Sequence, residues 1–175
     1  MDTETVVIIG RSEIVTSEIL EIARNIKGTK IAINQYLDFA DYIVFIDMPM
    51  SKFIRNKKAL TLKFFNVPNS ESYELQTGNV PVIDGKLKYC GFTHDFVLSW
   101  CVMHNVKNVI LIGVADFATN KHYNSSESFN PSESCIQESI KYINSLPMNI
   151  YTINKNSKLS VRRLKIKELK LWQVH

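Results

Sequence analysis

The chain has 175 residues, of which 45% are hydrophobic and 22% charged, with a net charge of +4. That balance is ordinary for a globular protein and excludes disordered and fibrous classes, while the length suits one domain. The longest unbroken apolar run is five residues, Tyr42–Ile46, far short of the roughly twenty needed to span a bilayer.

Three cysteines, Cys90, Cys101 and Cys135, form neither a disulfide framework nor a C-x-x-C zinc pair, so reduced thiols and no metal are expected. The start Met1-Asp2-Thr3-Glu4 lacks the basic and apolar stretches of a signal peptide, which points to the cytoplasm. The charge is concentrated. Arg162 to Lys170 carries five cations and one anion, which accounts for the whole net charge. This divides the chain into a domain over residues 1–159 and a basic tail over 160–175. Such a tail suits nucleic acid or an anionic surface, or is a solvated amphipathic end.

Thr5 to Ile9 is a β-branched run ended by Gly10, the pattern of a strand buried on both faces. Ser12 or Thr16 is placed to cap the next helix, whose stripe is Ile19, Leu20, Ile22, Ala23 and Ile26, and Lys27-Gly28 closes it. Strands follow at Lys30–Ile33, Tyr42–Ile46 and Leu60–Phe65. The stretch from Asn66 to Tyr89 is rich in turn residues, and a small hairpin is predicted at Val82–Leu87. Phe92 to Asn105 reads as a buried helix, and Asn108–Ile112 is the clearest strand. Pro131 opens another helix as its first residue, with Ile136, Ile140 and Ile143 facing inward. Asn149–Ile153 is the last core strand. Alternating strands and helices predict an α/β fold: a single-domain, Rossmann-like, doubly wound, mostly parallel sheet flanked by helices.

In such sheets ligands sit beyond the carboxyl ends of the strands, which selects the candidate residues. Gly10-Arg11-Ser12 follows the first strand, where a glycine and a guanidinium suit a phosphate, and a plain tight turn fits equally. No GxGxxG or Walker loop is present. Asn34-Gln35-Tyr36 ends the second strand with two amides and a ring that suit a base or sugar. Asp47 follows the third as a turn cap or ribose ligand. Thr93 opens the buried helix as an N-cap or phosphate ligand, beside His94 and Asp95, and His104 closes it. Asp116 follows the clearest strand, and His122 lies in the loop after it, an acid and a neutral-titrating base suited to proton transfer.

Val6-Val7-Ile8-Ile9-Gly10-Arg11-Ser12 followed by Ile33-Asn34-Gln35-Tyr36 resembles the opening of bacterial sialyltransferases of the Campylobacter lipooligosaccharide type. Gly91-Phe92-Thr93, Asn105 to Gly113 with Asp116-Phe117, and the helix and strand after Ser132 are similar to that family's later half. The pterin pyrophosphokinase-like proteins share the general pattern. The resemblance implies that Gly10, Arg11, Ser12, Asn34, Gln35, Tyr36 and Thr93 contact the CMP part of a CMP-sugar donor, with no further cofactor. The family's turn has asparagine where Arg11 stands. Its catalytic histidine falls at Asn130, which leaves His122 and Asp116 as the candidate catalytic pair. Two functions follow: a nucleotide-sugar-dependent glycosyltransferase, or an inactive nucleotide-binding or protein-interaction module on the same fold. The expected partner is a nucleotide-activated small molecule. Nucleic acid on the basic tail is a third reading, and self-association is left open.

Overall fold

The computed structural model describes residues 4–44, 63–65, 92–115, 117 and 131–173. Seven strands form one sheet: β1 (Thr5–Ile9), β2 (Thr29–Ile33), β3 (Tyr42–Val44), β4 (Lys63–Phe65), β5 (Asn108–Ile112), β6 (Asn149–Thr152) and β7 (Arg162–Arg163). Their order is β4-β3-β2-β1-β5-β6-β7, and every described pairing within the sheet is parallel. The chain builds outward from β1 in one direction, then returns to add β5 on its other side. The predicted Rossmann-like α/β fold is what forms.

Alternation along each strand explains why both faces are covered. Val6 and Ile8 of β1 join one buried cluster with α2 (Thr93–Met103) and α3 (Glu133–Asn144). Val7 and Ile9 join the other, with α1 (Ser17–Asn25) and the one-turn helix α4 (Ile166–Leu169). Successive side chains of a strand point to opposite faces, so a run with no polar position needs a layer on each side. Thr16 caps α1, its hydroxyl accepting the Ile19 N–H at 3.3 Å. Burial of His94 through Cys101, eight consecutive positions, makes α2 a helix enclosed all round.

Several local details differ from the sequence expectation. Thr93 is the first helical residue of α2 rather than its cap; Phe92 takes the cap position and supplies no side-chain oxygen. Pro131 precedes α3 by two residues, because Ser132 caps it by accepting the Cys135 N–H. The predicted hairpin at Val82–Leu87, Asp47 and the outer parts of the third and fourth predicted strands lie outside the described residues.

The connection from β6 to β7 has nine residues and no helix, although parallel crossovers ordinarily take a dozen or more. Side chains supply the missing backbone bonds. Thr152 Oγ1 accepts the Asn154 N–H, Asn154 Oδ1 accepts the Asn156 N–H, and Ser157 Oγ accepts the Leu159 N–H. Rather than trailing as a basic tail, residues 160–173 are built into the domain. β7 is the sheet's edge, Leu164 and Leu169 are buried in the α1-side core, and the Trp172 ring packs edge-on against Tyr151. The Lys27 N–H donates to the Trp172 carbonyl, and Gln173 bridges to Ile26.

This packing separates two leucines of one segment. Leu169→Ala should cost about 2–5 kcal/mol in urea unfolding, as a fully buried leucine does. Leu171, which is 78% exposed, should tolerate the same change within about 0.5 kcal/mol. Equal effects would mean that α4 does not dock as described.

Candidate functional site

The strand order reverses between β1 and β5, which makes the carboxyl ends of these two strands the place where an α/β sheet ordinarily receives a ligand. Here the two strand ends are clasped. The Gly10 N–H donates to the Ile112 carbonyl at 2.8 Å, and the Ser12 N–H donates to the Gly113 carbonyl at 3.1 Å. Gly10 is required for this approach: a Cβ there would overlap the Gly113 carbonyl oxygen and lie 2.8 Å from Val114 Cβ. Gly113 has φ +62° and faces the Val15 side chain where its own Cβ would stand. Two of the amides proposed to cradle a phosphate are therefore spent on β5.

The loop after β2 is drawn to the same point. Gln35 Nε2 donates to the Ile9 and Gly10 carbonyls at 3.1 and 2.6 Å. Its amide is thus a pin between two loops. Tyr36 leans into the α1-side core. Asn34, with φ 53°, adopts the left-handed conformation that asparagine tolerates best after glycine, and its N–H donates to the Val44 carbonyl.

What remains unspent at this rim is specific. Ser12 Oγ and Asn34 Oδ1 are both buried, and neither has a hydrogen-bond partner among the described residues. An unmet buried polar atom costs about 1–3 kcal/mol, and such atoms are uncommon enough to need a reason. Arg11, half-buried and next to Ser12 in the chain, has no ion pair among the described residues. Strain collects here too. Asn34, Ala115 and Phe117 are non-glycine residues with φ of 53°, 58° and 51°, all just past strand ends. Left-handed non-glycine residues cost about 1–3 kcal/mol each and cluster at ligand clamps.

The amino terminus of α2 reaches the same rim through aromatic rings. Phe117, just after β5, packs edge-on against Phe92 at 5.2 Å and against His94 at 5.5 Å. Thr93 is thereby at the rim, half-buried, on a helix start without a side-chain cap. Asp116 and His122 lie outside the described residues, as does Asn130. Gly10 and Asn34 follow the carboxyl ends of β1 and β2, and Thr93 opens α2 next to the Phe92–Phe117 contact.

Beneath the rim is a buried polar cluster that sequence reasoning missed. Ser139 of α3 donates to Asp95 Oδ1 at 2.6 Å, and His94 Nε2 lies 3.1 Å from the same Ser139 hydroxyl. Because the single Ser139 proton goes to the carboxylate, the hydroxyl accepts from His94, so Nε2 carries the imidazole proton. Ser99 meets the Tyr142 hydroxyl one turn further along. The signal was Ser139 itself, a polar residue inside the inner stripe of Ile136, Ile140 and Ile143.

Burial lowers the His94 pKa from 6.5 to about 3. The Asp95 carboxylate, 3.6 Å away, pulls the other way, but desolvation is larger and decides. The imidazole is neutral at pH 7. The Ser139 proton is already committed to Asp95, so this is a clamp between α2 and α3 and no nucleophile. The Cys101 thiol is likewise pushed up by burial, and is inert. Among the described residues no group of three or more His, Cys, Asp or Glu is placed to hold a metal, and no helix is long and apolar enough to cross a membrane.

Searches against protein-family models, curated proteins and solved structures find no match for this chain.

The clamp makes stability depend on acid. The folded pKa of His94 is depressed, so the unfolded chain binds the proton more readily, and stability is lost as pH falls from 6.5 toward 3. The limiting slope is about 1.4 kcal/mol per pH unit. Between pH 6.5 and 4.5 the wild type should lose about 2–3 kcal/mol more than His94→Gln in chemical denaturation. Parallel losses would show that His94 is not held neutral by burial.

Proposed function

We propose that this chain binds a nucleotide-activated small molecule, a CMP-type sugar donor, at the carboxyl edge of its sheet. One observation carries the reading: Ser12 Oγ and Asn34 Oδ1 are buried with no partner among the described residues, and Arg11, next to Ser12 in the chain, forms no ion pair among them. Arg11 offers a planar fork to a phosphate oxygen. Asn34 Oδ1 lacks a donor, which the amino group of a cytosine or a ribose hydroxyl supplies. The uncapped start of α2 at Thr93 adds backbone N–H groups and the positive end of a helix dipole. The clasp between Gly10 and Gly113 closes the space between β1 and β5, so the ligand lies over the β1–β2 side of the rim.

In the transferase form of this proposal, His122 takes the proton from the acceptor hydroxyl and Asp116 orients it, which a positioned base makes worth about two to four orders of magnitude in rate. Gln35 and Tyr36 hold the ligand-facing Asn34 in place rather than reading the ligand. The second reading, a nucleotide-binding module without transfer, is favoured by Asn130, which stands where the sialyltransferases that the sequence resembles carry their catalytic histidine.

Ser12→Ala separates a ligand role from a structural one. Removing an unsatisfied hydroxyl should leave the ligand-free protein as stable or up to about 1–2 kcal/mol more stable, while weakening CMP binding several-fold in thermal-shift titration. Arg11→Ala should weaken it about tenfold or more, the range of a charge-assisted hydrogen bond. Wild-type protein at a hundredfold excess of ligand over Kd should gain about 2.7 kcal/mol. No shift with any cytidine nucleotide sinks the proposal. With CMP-sugars, turnover that disappears in His122→Ala at unchanged affinity selects the transferase; binding without turnover selects the module.

A further inference from the structure

We propose that the exposed side of the segment from Lys165 to Leu171 docks on an anionic lipid surface, with Ile166 and Leu171 entering the headgroup layer and Lys165 and Lys167 lying against its phosphates. The large hydrophobic residues left exposed among the described residues are Met103, Ile166 and Leu171, at 49%, 42% and 78%. Two of the three sit within six residues of each other, in the segment that carries the whole net charge. Ile166 and Lys167 lie in α4, and Lys170 and Leu171 in the 3₁₀ turn Lys170–Trp172 that continues it; all four are exposed, two aliphatic and two cationic side chains on one short segment. Leu169 between them is fully buried and holds this segment against the core.

The cations on it are largely uncommitted. Lys165 and Lys167 are exposed and form no salt bridge among the described residues. Lys170 and Arg162 reach Glu18 and Glu168 at 3.6 and 3.4 Å, contacts that are weak at an exposed surface. Leu164, Leu169 and the Trp172–Tyr151 contact hold the platform rigid, so docking orders no new chain. A basic surface with protruding aliphatic side chains matches an interfacial membrane contact, where apolar insertion and attraction to anionic lipid add. Nucleic acid fits less well. Single strands want exposed rings to stack on, and the Trp172 ring is already packed against Tyr151, while Ile166 and Leu171 have nothing to do against phosphodiesters.

The full chain is sedimented with phosphatidylcholine vesicles and with vesicles containing phosphatidylserine. Binding to the anionic vesicles alone is expected, falling with salt. Lys165→Gln and Lys167→Gln together should weaken it about twenty-five-fold, at about fivefold per cation near an anionic surface. Ile166→Ser with Leu171→Ser should weaken it tenfold or more at unchanged charge. Thermal melting confirms that both variants stay folded, as their exposure predicts. Failure of the wild type to bind anionic vesicles overturns the proposal. So does binding that ignores lipid charge or the two serine changes, or a preference for an oligonucleotide over the vesicles. None of these outcomes depends on CMP binding.

Discussion

The fold turns on the contact between Gly10 and Gly113, where two backbones meet with no side chain between them. β1 is the central strand, and its ladder with β5 continues past both strand ends through the Gly10 and Ser12 amides. A Cβ at either glycine would have to displace backbone carbonyl or the Val15 side chain. The clasp joins the two halves of a sheet that run outward in opposite directions from β1. It also decides what kind of ligand site this sheet has. A dinucleotide fold leaves the gap after its first strand open for a pyrophosphate. This one fills that gap and leaves its unsatisfied oxygens, Ser12 Oγ and Asn34 Oδ1, to one side.

Below the rim, stability and candidate function share elements without sharing atoms. α2 contributes its uncapped first turn to the rim and its buried His94 and Asp95 to the clamp on Ser139. Moving α2 relative to α3 would break hydrogen bonds that have no water to replace them. The ring contacts of Phe92, His94 and Phe117 tie the loop after β5 to that helix start. The left-handed residues Ala115 and Phe117 are held in place by this packing.

Much of the architecture was legible because it follows from unbroken periodicity. Val6–Ile9 and Val109–Ile112 have no polar position on either face, and only a strand covered on both sides tolerates that. The stripes of α1 and α3 repeat at three and four residues. Cap positions slipped by one or two residues at Phe92 and Ser132, because propensity does not say which hydroxyl wins a helix end. The segment after Leu159 was read by its charge. Leu164 lies between β7 and α4 and Leu169 within α4, so their spacing matches no single period, and five cations outweighed two leucines. Gln35 was misjudged in role for a different reason. Its partners are backbone carbonyls some 25 residues earlier, and a carbonyl has no signature in sequence. The unpartnered atoms of Ser12 and Asn34 were equally invisible until burial showed which polar groups had been left out.

The position of β1 has a consequence for how the protein is made. Its first neighbour, β2, follows within a few dozen residues, but its second, β5, begins only at Asn108. On the ribosome the most apolar strand of the chain therefore waits, one edge bare, while about a hundred residues emerge at roughly 5–20 per second. A bare apolar edge is a template for pairing with another chain. Nascent chains crowded on one messenger face that hazard for several seconds each, and the opening helix α1, already able to shield one face of β1, does nothing to cover its edge.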